Sequence, residues 1–212
     1  MSLELFPDSE LLARNVTGRI RRACESAVES RGEFHIALAG GRTPERCYEL
    51  LATMDLSWER LHIYFGDERC LPVGDEERND TMAKSVWLDR VSIPESQIYP
   101  IPAELGPNQG AVGYSRLLDR APQLDLILLG LGEDGHTASL FPNSPALDNE
   151  CSAVPVFNAP KAPEERVSMG RGYINRVREK WFLVSGSGKC DAMGRILNGD
   201  PLPAAQITAA RW

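Results

Sequence analysis

The chain has 212 residues, of which 42% are hydrophobic and 25% are charged, and its formal net charge is −7. These values are typical of a globular domain and exclude an intrinsically disordered chain, and the length predicts one domain over residues 1–212. The acidic balance, without a block of lysine and arginine, argues against nucleic acid as a partner.

The N-terminal segment predicts a helix rather than an export signal. Acidic residues stand where a signal peptide carries basic ones, and the longest apolar run, near 126–131, is far shorter than a membrane span. We therefore expect a cytoplasmic protein without a membrane segment. Apolar residues recur at helical spacing from Leu12 to Ala27, and Asp8 or Ser9 is a suitable N-cap.

Four apolar runs predict buried strands of a parallel sheet, because each is apolar on both faces and ends in glycine, an acid or a small polar residue. In chain order they are FHIALAGG (34–41), LHIYFGDER (61–69), LDLILLGLG (124–132) and KWFLVSGSGK (180–189).

Helices are predicted between these strands. Thr43 followed by proline is typical of a helix start with threonine as N-cap, Asn79 is a candidate cap for another helix, and a last helix is expected from near Lys189 to Leu197. The stretches 94–110 and 142–163 are rich in proline and glycine and are interpreted as surface loops. The alternation predicts a single-domain α/β fold, doubly wound, with a mostly parallel sheet and helices on both faces.

Unusual residues follow every predicted strand, at the edge where such sheets bind ligands. After the first strand, Gly40, Gly41, Arg42 and Thr43 lead into a helix N-terminus, which either binds an anion or is an ordinary capped turn. The segment matches neither a dinucleotide nor a nucleoside triphosphate motif.

Cations follow the second and fourth strands. Arg69 is suited to gripping a phosphate or stabilising an oxyanion, with Asp67 holding it in place, although a solvated ion pair is the alternative. Lys189, after GSG, is either a second phosphate ligand or an exposed lysine.

The third strand ends in GEDGHTAS (132–139), where His136 is a candidate general base. Asp134, two residues earlier, is placed to orient its imidazole or to stabilise the protonated form. Thr137 and Ser139 are candidate caps of a short following helix, and the absence of a G-x-S-x-G elbow disfavours a serine nucleophile.

The remaining histidines and the five cysteines do not predict a metal site. His35 and His62 lie inside predicted strands, where hydrogen-bonded structural histidines are the usual case. The histidines lack ligand-like spacing and no C-x-x-C pair occurs, so we expect reduced thiols and no metal.

Taken together, the motifs resemble the bacterial 6-phosphogluconolactonase family, which belongs with the glucosamine-6-phosphate deaminases in one α/β superfamily. The resemblance runs from about residue 37 to residue 207, and its most specific element is GEDGHTASLFP (132–142). The other elements, in order, are GGRTP (40–44), GDER (66–69), ERNDTMA (77–83), PEERVSM (163–169), GSGK (186–189) and PLPAAQI (201–207).

The resemblance implies hydrolysis of 6-phospho-D-glucono-1,5-lactone to 6-phospho-D-gluconate, a step of the pentose phosphate pathway, without metal or organic cofactor. It implies that His136 is the general base and Asp134 its acidic neighbour, and it places further residues in the substrate cleft. These are Gly40, Gly41, Thr43, Asp67, Arg69, Asn79, Gly132, Arg166 and Lys189. The family commonly has serine where this chain has Arg42, which leaves open whether Arg42 meets the phosphate.

The chemistry expected from these residues is direct attack of water on the lactone carbonyl. His136 takes the proton from water, Asp134 supports the imidazolium, and Arg69 or nearby backbone amides stabilise the oxyanion. The phosphate, held by Lys189 and Arg166 with Arg42 as a further candidate ligand, positions C1.

Two alternatives are a glucosamine-6-phosphate deaminase, and a phosphosugar sensor without catalysis. The deaminases carry DGHIAFNEP rather than DGHTASLFP, and a sugar-responsive regulator normally has a DNA-binding segment, of which we find no sign.

Overall fold

The computed structural model describes residues 2–212 and has a single-domain α/β fold, as predicted. The strands are β1 Phe34–Leu38, β2 Leu61–Phe65, β3 Asp67–Arg69, β4 Leu126–Leu129, β5 Ala153–Val156, β6 Arg166–Met169 and β7 Glu179–Phe182. The helices are α1 Ser9–Arg31, α2 Arg42–Leu51, α3 Asn79–Val86, α4 Pro107–Leu118, α5 Arg171–Arg176 and α6 Cys190–Leu197.

The four predicted strands form one parallel sheet in the order β2-β1-β4-β7. After β1 the chain adds β2 on one side, and it then returns to place β4 on the other side. This change of direction opens a crevice beyond the carboxyl ends of β1 and β4, which is the usual ligand site of doubly wound sheets. Strands β1 and β4 are buried along their whole length, as their continuous apolar sequence predicts.

A second, antiparallel sheet was not predicted. Strands β3, β6 and β5 pair in that order, and Gly66 connects the two sheets. The amide of Gly66 donates to the Leu38 carbonyl at 2.8 Å, and its own carbonyl accepts from Met169 at 2.7 Å. The predicted second strand therefore ends at Phe65, and its last three residues turn into another sheet.

The helix starts are partly as expected. Asp8 caps α1, accepting a hydrogen bond from the Leu11 amide at 2.8 Å, and α6 follows Lys189. The prediction that Thr43 caps α2 is wrong: Gly41 holds the N-cap position with φ 101°, and no side chain caps the helix. Asn79 is also not a cap, since it is the first residue of α3 and Arg78 precedes it.

The two stretches interpreted as loops contain regular structure. Helix α4 begins at Pro107, inside 94–110, and β5 lies inside 142–163. Within residues 2–212 no helix begins at Thr137 or Ser139; the short 3₁₀ turn Pro145–Leu147 has Ser144 as its cap. None of the helices described here is long and apolar enough to cross a bilayer.

Candidate active site

A cavity of about 450 Å³ lies in the crevice at the carboxyl ends of the parallel strands. Most of the predicted site residues line it: Gly40, Gly41, Asp67, Arg69, Asn79, Gly132, His136, Arg166 and Lys189. These residues come from six separate parts of the chain, and the fold brings them together.

His136 lies on the wall of this cavity with Asp134 behind it. Nδ1 of His136 is 2.5 Å from Oδ1 of Asp134, and the same oxygen accepts the backbone N–H of His136 at 3.1 Å. A carboxylate only accepts hydrogen bonds, so Nδ1 carries a hydrogen, and in the neutral ring the lone pair is therefore on Nε2. This is the tautomer that a general base requires.

Asp134 is ionised in this arrangement. Partial burial alone raises the pKa of Asp134, but the hydrogen bond from the His136 amide, together with the charge and ring hydrogen bond of His136, lowers that pKa below its ordinary value. The pair therefore consists of a carboxylate and an imidazole, which is the combination that stabilises an imidazolium when it forms.

Gly132 allows the imidazole to occupy this position. A Cβ at residue 132 would lie 2.0 Å from Nδ1 of His136 and 2.6 Å from Oδ1 of Asp134. The backbone here is also tied to the histidine, because the Gly132 amide donates to the His136 carbonyl at 2.8 Å. Glycine at 132 is thus needed for close approach of His136 and Asp134 rather than for an unusual φ.

Phe141 packs on the histidine from the other side of the loop. Its ring centroid is 4.4 Å from that of His136, and the guanidinium of Arg166 lies 5.6 Å from the same ring. Phe141 belongs to the GEDGHTASLFP element, but its apolar character gave no functional signal in the sequence. It connects the proposed base to a cation of the cleft.

The antiparallel sheet places two arginines side by side. Arg69 on β3 is directly opposite Arg166 on β6, although the two are far apart in the sequence. Burial lowers the pKa of Arg166; the Asp67 carboxylate opposes this change, and the Arg69 charge adds to it. Two adjacent guanidinium groups on a cavity wall favour an anion there.

Four cations in or beside the cleft have no carboxylate partner among the described residues. Across residues 2–212, Arg42, Arg69, Arg166 and Lys189 form no ion pair. Arg69 also has a buried Nε without a hydrogen-bond partner among the described residues. Positive charge without carboxylate partners along the cleft favours an anionic ligand.

Asp67 does not hold Arg69 in place, which corrects the prediction. The Asp67 carboxylate instead accepts a hydrogen bond from Ser139 Oγ at 2.5 Å, and its backbone carbonyl accepts one from Asn79 Nδ2 at 2.8 Å. A Cβ on Gly40 would lie 1.9 Å from Asn79 Oδ1. Gly40 is therefore required because the Asn79 side chain occupies the space that a Cβ at residue 40 would fill.

Arg42 and Thr43 lie beside a neighbouring cavity of about 500 Å³, which shares Gly40, Gly41 and Lys189 with the main cleft. Thr43 Oγ1 hydrogen bonds with Ser185 Oγ at 2.8 Å. Since no side chain caps α2, its first amides can donate to an anion, aided by the helix dipole.

Three cleft features were not found from the sequence. Ser139 was interpreted as a helix cap, but it holds Asp67. Glu133 and Lys161 form a solvent-exposed ion pair of 3.7 Å at the cleft rim. A pairing between residues nearly thirty positions apart carries no local sequence signal.

Comparison with known proteins gives a consistent result. The family described as glucosamine-6-phosphate isomerases/6-phosphogluconolactonase matches residues 7–211. A 6-phosphogluconolactonase of Synechocystis is 44% identical over 85% of this chain and 77% of its own length, and one of Mycobacterium tuberculosis is 38% identical over 96% and 90%.

Solved structures agree. The crystal structure of a 6-phosphogluconolactonase from Thermotoga maritima has a TM-score of 0.91 at 28% identity, covering 99% of this chain and 96% of its own. A monomeric glucosamine-6-phosphate deaminase has a TM-score of 0.85 at 20% identity, a likeness that shows the fold alone.

Proposed function

The chain belongs to the glucosamine-6-phosphate isomerase/6-phosphogluconolactonase family, and from this premise we propose how its cleft carries out the reaction. The protein is an enzyme of the 6-phosphogluconolactonase type, which hydrolyses 6-phosphogluconolactone in the pentose phosphate pathway. The substrate is a small phosphosugar lactone. The mechanism, the residue roles and the cytoplasmic location are our proposals.

The proposal rests on one observation: an imidazole backed by a carboxylate faces a cavity where Arg69, Arg166 and Lys189 have no carboxylate partner among the described residues. In the first step a water molecule attacks C1 of the lactone, and His136 Nε2 takes one of its protons. The carbonyl π electrons move onto oxygen, and Arg69, which lines the cavity, donates a hydrogen bond to that oxyanion. Asp134 stabilises the imidazolium.

In the second step the oxyanion re-forms the carbonyl and the bond between C1 and the ring oxygen breaks. His136 returns its proton to the ring oxygen, which becomes the free 5-hydroxyl of the product. The new carboxylic acid ionises, so the overall reaction consumes one water and releases one proton. No covalent enzyme intermediate is required, because the carbonyl carbon of a lactone is electrophilic enough to react with activated water.

Phosphate binding supplies the positioning. We assign the phosphate to Lys189 and the amides at the start of α2, with Arg42 beside them, and Arg166 to the sugar acid or the phosphate. Binding energy from this remote group fixes C1 near the base. The protein should therefore discriminate strongly against unphosphorylated gluconolactone, and equal rates on the two lactones would contradict these assignments.

The direct test is His136→Gln, which keeps a polar side chain of similar size but removes the base. General base catalysis contributes about 10²–10⁴-fold, so kcat should fall by that factor while KM stays nearly constant. Proton release at constant pH, corrected for spontaneous hydrolysis, measures the rate. A variant with near-normal kcat would refute the role of His136, whereas ammonia release from glucosamine 6-phosphate by the unmodified protein would favour the deaminase alternative.

A further inference from the structure

A second cluster of polar side chains lies at the amino ends of the parallel strands, opposite the carboxyl ends that carry the active-site cleft. Glu33 precedes β1, His35 is the second residue of β1, and His62 is the second residue of β2. The two histidines are directly paired in the parallel register, so their side chains leave the same face of the sheet side by side. The lactonase mechanism uses none of the three.

The distances in this cluster are those of a metal-binding set. Glu33 Oε1 is 3.1 Å from His35 Nε2, Glu33 Oε2 is 3.1 Å from His62 Nε2, and the potential ligand atoms all lie within 4.8 Å of one another. Zinc bonds of about 2.0–2.2 Å in tetrahedral geometry place neighbouring ligand atoms about 3.3–3.5 Å apart. Two imidazoles and one carboxylate are a known zinc ligand set that leaves a fourth position for water.

The buried histidine is unsatisfied on the nitrogen that faces this cluster. His35 is only 4% exposed, and among the described residues its Nε2 has no hydrogen bond of acceptable geometry despite the nearby carboxylate. A buried polar atom without a partner in a native fold requires an explanation, and a bound ion is one of the usual ones.

Each histidine is held by a tyrosine through its other nitrogen. His35 Nδ1 is 3.3 Å from the Tyr64 hydroxyl, and His62 Nδ1 is 3.1 Å from the Tyr99 hydroxyl. When Nδ1–H donates to the tyrosine oxygen, Nε2 carries the lone pair. Such outer partners, which fix the tautomer and ring orientation, accompany most metal-binding histidines.

We propose that Glu33, His35 and His62 bind one divalent transition-metal ion of the zinc class. The fourth ligand is a water molecule in the adjoining cavity of about 550 Å³. The ion joins the starts of two neighbouring strands to the turn after α1, and because it binds only the folded chain it stabilises the fold by mass action.

Two features oppose binding, and both are limited. The imidazole rings are stacked, with centroids 4.4 Å apart and planes 16° apart, so they must tilt for one ion to lie near both ring planes. His62 has 18% of its side chain exposed at the cavity and is the ring with room to move. Arg116 and Arg120 also line the cavity, but both are exposed, so solvent screens their charges.

The test requires a background without competing thiols. Cys151 and Cys190 are exposed and would bind zinc on their own, so the protein carries Cys151→Ser and Cys190→Ser and is stripped with chelator. Equilibrium dialysis against Zn²⁺ gives the stoichiometry and affinity, and the visible spectrum of bound Co²⁺ reports the coordination geometry.

In this background we expect one saturable metal per chain and a higher melting temperature with Zn²⁺. Glu33→Gln and His62→Gln should each weaken binding at least about ten-fold, and Tyr99→Phe by about ten-fold through the lost outer hydrogen bond. Glu29→Gln, an exposed change on α1, and His136→Gln, in the active-site cleft, should leave metal affinity unchanged. Lactonase rate, which does not depend on this cluster, verifies that each variant other than His136→Gln is folded.

Binding that is absent, or that is equally strong in Glu33→Gln and His62→Gln, would overturn the proposal. The cluster would then be a hydrogen-bonded Tyr–His–Glu network only. Binding lost in His136→Gln but kept in Glu33→Gln would assign the metal to the active-site pair instead, and would equally overturn the proposal. Failure of either kind leaves the lactonase assignment intact, since it rests on the opposite sheet edge.

Discussion

The replacement Asp134→Asn isolates the contribution of negative charge to the proposed base. In the structure one oxygen of Asp134 accepts both the backbone N–H and the ring Nδ1–H of His136. An asparagine can keep its carbonyl oxygen in this place, because turning its NH₂ group inward would oppose two donors at once. We therefore expect the tautomer and position of the ring to be retained while the charge is lost.

The size of the effect follows from that geometry. A hydrogen bond to a charged group contributes about 1.5–3 kcal/mol. The Asp134 side chain is 40% exposed, so solvent screening favours the lower end of this range. About 1.5–2 kcal/mol corresponds to a fall of about ten- to thirty-fold in kcat. KM should hardly change, because Asp134 contacts the histidine and not the proposed phosphate ligands.

Initial rates of proton release on the lactone, corrected for spontaneous hydrolysis, measure this effect. Asp89→Asn is the matched control, because it makes the same change at an exposed residue that follows α3. This variant should behave as the unmodified protein. A kcat equal to that of the unmodified protein would refute a role for the Asp134 charge. A fall near four orders of magnitude would instead mean that the amide has reversed and the histidine has the wrong tautomer.

Two further predictions concern the close packing of the site and the acid buried beneath it. Gly132→Ala should lower kcat by at least about ten-fold with little loss of melting temperature, because its Cβ, 2.0 Å from His136 Nδ1, must displace the imidazole; unchanged kinetics would show that the loop adapts without cost. Burial raises the pKa of Glu68 from 4.5 to about 7, against three backbone hydrogen bonds that lower it. The folded protein therefore holds this proton more tightly than the unfolded chain does, and the free energy of unfolding should fall as pH rises from about 4.5 to about 7 and then level off. Urea titrations across this range should show a smaller fall in Glu68→Gln than in the unmodified protein, and parallel curves would contradict the assignment.

Local sequence patterns predicted the parallel sheet and most helices because their causes are local. A strand covered on both faces must be apolar at every position, and β1 and β4 are. The start of α1 was readable for the same reason, since Asp8 caps it through a bond that spans three residues. The predicted start of α2 was wrong because the N-cap is Gly41, which takes part through its backbone conformation and not through a side chain. Side-chain patterns in the sequence do not reveal such a cap.

The active site was predictable in part for a topological reason. Carboxyl ends of parallel strands share one edge, so the residues after each apolar run had to meet, and His136 with Asp134 are neighbours in the chain itself. What Asp67 would contact was not predictable. Its nearest cation in the sequence is Arg69, but its strand turns into the second sheet and presents the carboxylate to Ser139.

The sequence by itself therefore determined the fold class, the edge at which ligand binds and the pair that serves as the proposed base, because these depend on hydrophobic periodicity and short spacing. Only the tertiary structure decided that Arg69 lies opposite Arg166, and that His35 and His62 stand beside Glu33. Both arrangements are set by strand pairing between distant segments. The register of that pairing depends on which faces of the strands are buried and on how the chain connects them, so no single local segment specifies it.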